Sequence, residues 1–305
     1  MTRRYNACHI AGVNPIAALP FTTSGDIDQI SMVQLLEHLA GTGVQGLTLF
    51  GIASEFPKLS DPERARLAQL FVSTLSGADV YRVLSVTEHC TELAVQRARE
   101  YARLGADALM LLPPFFLHPS QEAIAAHITA VLEAVDIPVL VQYAPGETGI
   151  PLPAQQLADV AGRYPHAVFK IENTSPVEYT REFLALAPDA GVMNGYAGIF
   201  MPDMLTAGGK GVMPGCSFSE VYVAIYRLWV AGETTQARQL HQRLLPFIRP
   251  WMSHCEYIIQ VEKTILYRRG IIASDYCRRP GWALSDDDHQ QIAHLMETFD
   301  LAPAR

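Results

Sequence analysis

The stretch VLVQYAPGETGIPLPAQQLADVAGRYPHAVFKIE, residues 139–172, contains the pattern that decides the fold class. It begins with an apolar run at 139–143, continues through an amphipathic segment at 152–161, and ends with a second apolar run at 167–171. Two short apolar runs joined by a helical segment are typical of a strand–helix–strand unit with parallel strands.

The same alternation recurs along most of the chain, and eight such units are the number that closes a (β/α)8 barrel. An open doubly wound sheet is the rival fold. It usually shows a Gly-x-Gly-x-x-Gly turn after an early strand, which this sequence lacks. The sequence therefore predicts an α/β protein with a TIM barrel. The candidate strands are residues 10–19, 46–50, 81–86, 108–112, 139–143, 167–171, 191–194 and 211–213.

The strand pattern ends near residue 232, and the remainder of the 305 residues is helical in pattern. An α/β barrel uses about 250 residues as one domain, so the chain is long enough for one barrel and an appendage. No Pro/Ser-rich linker separates the two parts. We predict a barrel over residues 1–232 and C-terminal helices packed on it over residues 233–305.

Composition excludes several classes of protein. The net charge of −8 and the lack of a Lys/Arg run argue against nucleic acid as a partner. No apolar run approaches the roughly 18 residues that span a membrane, and no signal peptide is evident. The five cysteines form no Cys-x-x-Cys pair, which argues against a disulfide framework and favours the reducing cytoplasm.

Lysine is scarce, since only four of the 23 basic residues are lysines. One of them, Lys170, lies within a predicted strand between Phe169 and Ile171, so its side chain points the opposite way, into the barrel. Burial disfavours the charged form of an amine, and a neutral amine attacks a ketone to form a Schiff base. The alternative is a structural lysine paired with Glu172 or Glu147. The other three lysines, Lys58, Lys210 and Lys263, are predicted to lie on the surface.

Two further features lie at the C-terminal ends of predicted strands, where TIM barrels carry their active sites. Tyr143 ends the strand before that of Lys170, and its phenol could relay protons; a satisfied core tyrosine is the alternative. The small-residue turn at 51–54 could bind a carboxylate through its N–H groups, or it is simply a tight loop.

Other chemistries find little support in the sequence. Histidine, cysteine and acidic residues show no metal-ligand spacing. The Gly-x-Ser-x-Gly elbow of hydrolases is absent. The glycine-rich segment at 208–211 precedes a strand and does not match a phosphate-binding loop. We therefore expect neither a metal nor a bound cofactor.

Taken together, the motifs resemble those of the dihydrodipicolinate synthase and N-acetylneuraminate lyase family of Schiff-base-forming barrels. Their order and spacing match the family over nearly the whole chain. The matching stretches are GIASE at 51–55, PFFLHPS at 114–120, YAPG at 143–146, FKIE at 169–172 and GGKGVM at 208–213.

The resemblance implies a role for each of these positions. Lys170 would form the imine with a 2-keto acid, and Tyr143 would transfer protons. Residues expected to bind the substrate are Ile52 and Ala53 through their backbones, Ser54 nearby, and Gly195 and Met213 through their backbones. Residues expected to line the pocket are Glu55, Phe116 and Glu147. The family also implies a homotetramer built as a dimer of dimers.

Three departures from the synthase pattern bear on the substrate. Ile52 replaces a relay threonine, Phe116 replaces a tyrosine lent by a neighbouring subunit, and Glu147 replaces an arginine that binds the second substrate's carboxylate. Glu147 would repel an acidic second substrate. The sequence motifs are most similar to those of the 2-keto-3-deoxy-arabonate dehydratase branch, although that branch commonly lacks the tyrosine supplied here by Tyr143.

The sequence thus predicts a lyase that acts on a 2-keto acid, in particular a 2-keto-3-deoxy sugar acid, by dehydration or by retro-aldol cleavage to pyruvate and an aldehyde. The sequence does not choose between these two reactions. One alternative is 4-hydroxy-tetrahydrodipicolinate synthase, which joins pyruvate and aspartate semialdehyde. The other is a non-catalytic 2-keto-acid sensor, suggested by the hydroxyl groups lost at Ile52, Ala53 and Phe116.

Overall fold

A computed structural model describes residues 5–301. Its eight strands are β1 (Gly12–Val13), β2 (Gly46–Leu49), β3 (Tyr81–Val86), β4 (Ala108–Leu111), β5 (Val139–Tyr143), β6 (Ala167–Ile171), β7 (Gly191–Asn194) and β8 (Gly211–Val212). Its α-helices are α1 (Gln29–Gly41), α2 (Asp61–Thr74), α3 (Thr91–Leu104), α4 (Gln121–Ala134), α5 (Pro145–Thr148), α6 (Ala154–Arg163), α7 (Pro176–Leu186), α8 (Met201–Thr206), α9 (Ser219–Val230), α10 (Thr234–Trp251), α11 (Cys255–Arg268) and α12 (Asp286–Thr298).

The strands form one sheet in the order β1-β8-β7-β6-β5-β4-β3-β2. The registers of β3 through β8, and of β8 with β1, are parallel. Beyond β1, Ile16 forms parallel bridges both to Thr48 of β2 and to Gly215 after β8. With helices between successive strands, this is the topology of a (β/α)8 barrel, so the predicted fold class is confirmed.

Four of the predicted strands are shorter than expected, and those at 108–112 and 211–213 each end one residue early. The run at 10–19 is regular only at Gly12–Val13, and the run at 46–50 ends at Leu49. Pro15 lacks the N–H group that a strand interior uses, and Phe50 has a left-handed φ of 68°. Strand character therefore ends where the backbone turns into the loop that follows.

The chain divides into two compact units. One contains Tyr81–Met213 and the described residues before Pro15; the other contains Pro15–Val80 and the described residues from Pro214 onward. The second unit includes α9 to α12, so the helices expected after residue 232 are present. The domain boundary near residue 232 stays a prediction. Within residues 5–301, no helix combines the length and the apolar content needed to cross a membrane.

The first unit contains the strands that position Lys170. The side chain of Phe169 on β6 packs against that of Phe183 on α7, with ring centroids 4.8 Å apart. Both rings are fully buried. Because side chains alternate along a strand, this contact assigns the helix-covered face of β6 to Phe169 and the opposite face to Lys170.

Candidate active site

Lys170 lies on β6 with its side chain on the face away from α7. It pairs in register with Gln142 on β5 and with Met193 on β7. Register partners on neighbouring parallel strands point to the same face of a sheet, so these three side chains share one face. Lys170 is only 4% exposed, so its amine is buried as the sequence predicts.

Glu172 holds the amine of Lys170. Its Oε1 lies 3.2 Å from the Lys170 Nζ and accepts a hydrogen bond of 3.0 Å from the Tyr196 N–H. Its Oε2 accepts a hydrogen bond of 2.5 Å from the Gln142 Nε2. The carboxylate is therefore fixed by three donors from three segments, and it is placed to take a proton from the lysine ammonium.

Gly195 provides the space that Glu172 occupies. A Cβ atom at position 195 would lie 2.1 Å from the Glu172 Cγ, a distance that no packed structure tolerates. The Gly195 N–H donates to the Ile171 carbonyl at 3.2 Å, and its carbonyl accepts from the Gly198 N–H at 2.9 Å. Both backbone groups thus take part in hydrogen bonds within the fold, and the role of the Gly195 backbone in substrate binding stays a prediction. The position serves the site by admitting the Glu172 side chain.

Glu147 lies on the short helix α5, directly after β5. Its Oε2 is buried and makes no hydrogen bond within the described part of the chain. Burial raises the pKa of this carboxyl, and the negative charge of Glu172 raises it further, whereas the Lys170 charge acts in the opposite direction. Glu147 therefore lies within electrostatic range of both members of the Lys170–Glu172 pair.

Tyr143 does not face Lys170. It pairs in register with Ile171 rather than with Lys170. Its ring stacks on Tyr179 of α7 with centroids 4.7 Å apart, and its hydroxyl accepts a hydrogen bond of 3.4 Å from the Leu152 N–H. The predicted placement of this phenol beside the amine is therefore wrong. Burial raises the pKa of Tyr143, as for a core tyrosine.

Gln142 is the site residue that sequence reasoning missed. It stands one position before Tyr143 and shares the face of Lys170. The signal was available, because the two predicted strands have equal length and end at Tyr143 and Ile171. Aligning their ends pairs Tyr143 with Ile171 and Gln142 with Lys170, and alternation then assigns the faces.

Met213 follows β8 and is buried. Its N–H donates to the Asn194 carbonyl at 2.8 Å, so this backbone donor is also used within the sheet. Phe116, in contrast, is 74% exposed. It borders a cavity of about 640 Å³ that Phe115, His89 and His127 also line.

The turn after β2 belongs to the second unit and forms a short 3₁₀ helix, Ile52–Ser54. The hydroxyl of Ser54 donates to the Ala17 carbonyl at 2.6 Å and accepts from the Phe50 N–H at 3.1 Å. This buried hydroxyl therefore stabilises the loop, and the role of Ser54 in substrate binding stays a prediction. Ile52 and Ala53 begin the helix, where N–H groups have no partner inside a helix. Their role in carboxylate binding stays a prediction.

Glu55 and two lysines form a buried charged cluster in the second unit. The Glu55 carboxylate forms an ion pair with Lys263 on α11 and a second one with Lys58 at 3.0 Å. Lys58 also contacts Glu256 at 2.7 Å. Glu55 is thus engaged in holding α11 rather than free to line a pocket. Lys263 is fully buried and Lys58 partly so, so the prediction that both lie on the surface is wrong.

Among residues 5–301, no group of three or more His, Cys, Asp or Glu side chains is arranged to hold a metal ion. The titratable groups gathered around Lys170 are two carboxyls, Glu172 and Glu147. An amine with two carboxyls can form an imine and move protons to and from the atoms next to it.

Comparison with known proteins identifies a family. The sequence profile of the dihydrodipicolinate synthetase family matches residues 9–299. A 4-hydroxy-tetrahydrodipicolinate synthase of Thermomicrobium roseum is 30% identical over 73% of this chain and 74% of its own length. The enzyme of the same name from Kineococcus radiotolerans is 26% identical over 93% and 92%.

Solved structures agree in fold. The dihydrodipicolinate synthase of Rhodopseudomonas palustris superposes with a TM-score of 0.87 at 25% identity, covering 95% of this chain and 97% of its own. A prophage protein of E. coli K12 from the same family, solved in complex with pyruvate, gives 0.86 at 21% identity, covering 96% and 99%. The likeness therefore extends over the whole barrel and the helices after it.

Proposed function

Because the chain belongs to the dihydrodipicolinate synthetase family, we propose that it is a lyase that acts on a 2-keto-3-deoxy sugar acid through a Schiff base at Lys170. Members of this family are Schiff-base-forming lyases, and the chain is an enzyme of that class. The residues of this chain support Lys170 as the lysine that forms the Schiff base, and they favour one class of substrate.

The observation that carries the proposal is the buried contact between Lys170 and Glu172. Glu172 takes the proton of the ammonium, the neutral amine then attacks the C2 ketone, and that proton departs with the ketone oxygen as water. The resulting iminium draws electrons from C3, so a proton can leave that carbon. Glu172, held beside the nitrogen by Gln142 and Tyr196, is positioned to accept it.

The residues around the amine argue against an acidic second substrate. A buried carboxylate needs a charged or hydrogen-bonding partner, and the position matched to the synthase arginine holds Glu147. Gln142 and Glu147 instead offer groups that hydrogen-bond hydroxyls. A polyhydroxy chain suits this surface better than aspartate semialdehyde does.

The second candidate function is 4-hydroxy-tetrahydrodipicolinate synthase, favoured by the names of the relatives from T. roseum and K. radiotolerans. Turnover of pyruvate with aspartate semialdehyde, and none with sugar acids, would favour it. The homotetramer expected from the family is also a proposal, which light scattering after gel filtration tests.

Borohydride trapping tests the shared chemistry. The protein is incubated with pyruvate, the smallest 2-keto acid of this kind, reduced, digested and mapped by mass spectrometry. We expect one adduct, on Lys170, which Lys170→Arg removes and Lys210→Arg retains. An adduct elsewhere, or none, contradicts the proposal. A panel of 2-keto-3-deoxy acids, read for released pyruvate and for dehydrated product, then separates the reactions.

A further inference from the structure

Dehydration and retro-aldol cleavage place opposite demands on the C4 hydroxyl of a 2-keto-3-deoxy acid. In dehydration the C4–O bond breaks, and the departing oxygen needs a proton. In cleavage the C3–C4 bond breaks, and the C4 hydroxyl must lose its proton to become an aldehyde. The group that faces C4 therefore selects the reaction: an acid favours dehydration and a base favours cleavage.

The two carboxyls near Lys170 have different surroundings. Glu172 receives the Lys170 ammonium, the Gln142 amide and the Tyr196 N–H. The Glu147 Oε2, although buried, receives no hydrogen bond within residues 5–301. A buried carboxyl oxygen without a donor is stable only when the group is neutral or when a ligand supplies a hydrogen bond.

The electrostatics agree with this division. Burial and the adjacent Glu172 charge both favour the protonated form of Glu147 and raise its pKa, and its own backbone N–H and the Lys170 charge are the smaller opposing influences. One carboxyl, Glu172, is held by three donors, and the other, Glu147, is biased toward its protonated form. Glu172 is suited to act as the base and Glu147 as the acid.

Tyr143, the phenol that could have served as a base in retro-aldol cleavage, lies on the face of β5 opposite to Lys170. Tyr143 stacks on Tyr179 and meets the Leu152 N–H on the helix-covered face of β5. A tyrosinate at the C4 hydroxyl, which retro-aldol cleavage would use as its base, is therefore not supplied by this strand. The residue of β5 on the reactive face is Gln142, which has no titratable proton.

We propose that Glu147 is the general acid that protonates the C4 hydroxyl as it leaves, which makes this enzyme a dehydratase rather than an aldolase. The inference rests on the proposed function, since it requires the imine at Lys170. It adds the reaction and a catalytic residue that family membership alone does not assign.

Glu172 takes a proton from the Lys170 ammonium, the neutral amine adds to C2, and the same proton leaves with the former ketone oxygen as water, so that an iminium and the Glu172 carboxylate remain. Glu172 takes a proton from C3, and the C–H electron pair forms the enamine C2=C3 bond. The enamine electrons then form C3=C4 while the C4–O bond breaks, and the oxygen leaves as water with the proton of Glu147. Water hydrolyses the new iminium to the 2-keto-3-ene acid and regenerates the Lys170 ammonium. One proton passes from Glu172 to Glu147 through solvent.

Glu147→Gln tests the proposal, because an amide keeps the shape and cannot supply a carboxylic proton. The readouts are borohydride trapping with pyruvate, deuterium exchange at the pyruvate methyl group in D2O, and dehydration of a 2-keto-3-deoxypentonate. We expect trapping and exchange within about threefold of the wild type and dehydration lower by about 10²- to 10⁴-fold. Glu182→Gln, on the exposed side of α7, is the matched control and should change none of them.

A substrate with fluorine in place of the C4 hydroxyl separates acid catalysis from a structural role. Fluoride is a far weaker base than hydroxide, so it departs without a full proton transfer. Elimination of fluoride should therefore differ by less than about tenfold between the wild type and Glu147→Gln. Equal losses for both leaving groups would overturn the assignment of Glu147 as the acid.

The outcomes also distinguish this inference from the proposed function. If pyruvate forms no adduct on Lys170, the proposed function fails. If the adduct forms but the sugar-acid panel yields pyruvate and an aldehyde, the Schiff-base lyase stands and the dehydratase inference is wrong. A dehydration rate that Glu147→Gln leaves unchanged is also incompatible with the inference.

Discussion

Two buried lysines, Lys170 on β6 and Lys263 on α11, each form an ion pair with a glutamate, yet their surroundings differ. The Lys263 ammonium contacts the Glu55 carboxylate, donates to the Tyr276 carbonyl at 3.0 Å and lies 4.3 Å from the centre of the Phe21 ring. Within the described residues, Lys170 has one such contact, to Glu172. The Lys263 amine is therefore contacted by three groups, and the Lys170 amine by one.

The partners differ in the same way. If Lys263 leaves, the Glu55 Oε2 keeps Lys58 and the Arg278 N–H, but the buried Oε1 has no other donor within the described residues. If Lys170 becomes an imine, Glu172 still receives hydrogen bonds from Gln142 and Tyr196. Removing one member of a buried ion pair is costly when its partner has no replacement. Reactivity therefore fits the lysine whose partner is held independently, and Lys263 fits a structural role.

The largest expected effect separates the two lysines by activity. Lys170→Met should lower kcat for 2-keto-acid turnover by about 10⁴-fold or more, because the covalent intermediate cannot form. Lys263→Met should retain the borohydride adduct on Lys170. Steady-state turnover with trapping by mass spectrometry measures both. Trapping that disappears in Lys263→Met folded protein, or survives in Lys170→Met, would contradict the assignment.

Stability should rank the same two variants in the reverse order. Lys263→Met leaves the Glu55 carboxylate facing an apolar side chain, so we expect the free energy of unfolding to fall by about 3–5 kcal/mol. Lys170→Met should cost less than about 2 kcal/mol, since each oxygen of Glu172 keeps a donor, Tyr196 for Oε1 and Gln142 for Oε2. Urea unfolding followed by circular dichroism measures both, and exposed Lys210→Met is the control. Equal losses for both lysines would remove the distinction.

The comparison also shows which features the sequence could provide. Strand and helix alternation predicts the barrel because it is a local pattern, and alternation about Phe169 and Ile171 places Lys170 on the inner face. The same alternation places Tyr143 on the opposite face from Lys170, provided that the ends of β5 and β6 are aligned to set the register. Without that alignment, the sequence wrongly places the Tyr143 phenol beside the amine. Lys263 is different, because its burial depends on Glu55, Phe21 and Tyr276, which folding alone brings to it. No local pattern on α11 marks such a residue.

Gly195→Ala tests whether the position of Glu172 matters to the amine. The added Cβ would lie 2.1 Å from the Glu172 Cγ, so the carboxylate must move away from Lys170. We expect a loss of about 10²-fold in kcat, as for a catalytic group displaced by about 1 Å, with a smaller change in KM. Gly162→Ala on α6, where a Cβ meets nothing within 4 Å, is the matched control. Wild-type kcat in Gly195→Ala would mean that Glu172 takes no part in the reaction.

The smallest expected effect concerns Glu262, the neighbour of Lys263 on α11. It predicts how the free energy of unfolding depends on pH in this structural region. Burial raises the pKa of Glu262 to about 6 from an ordinary value of 4.5, while its carboxylate accepts a hydrogen bond of 2.7 Å from the Ser217 N–H. The folded state therefore binds this proton more tightly than the unfolded state, and its contribution to stability is present below about pH 4.5 and lost as the pH rises through about 6. Relative to Glu262→Gln, the wild type should lose about 2 kcal/mol of unfolding free energy over that interval, measured by urea unfolding at a series of pH values. A pH-independent difference between the two proteins would show that Glu262 is ionised in the fold at no cost, and a matching change in kcat would place it in the reactive region instead.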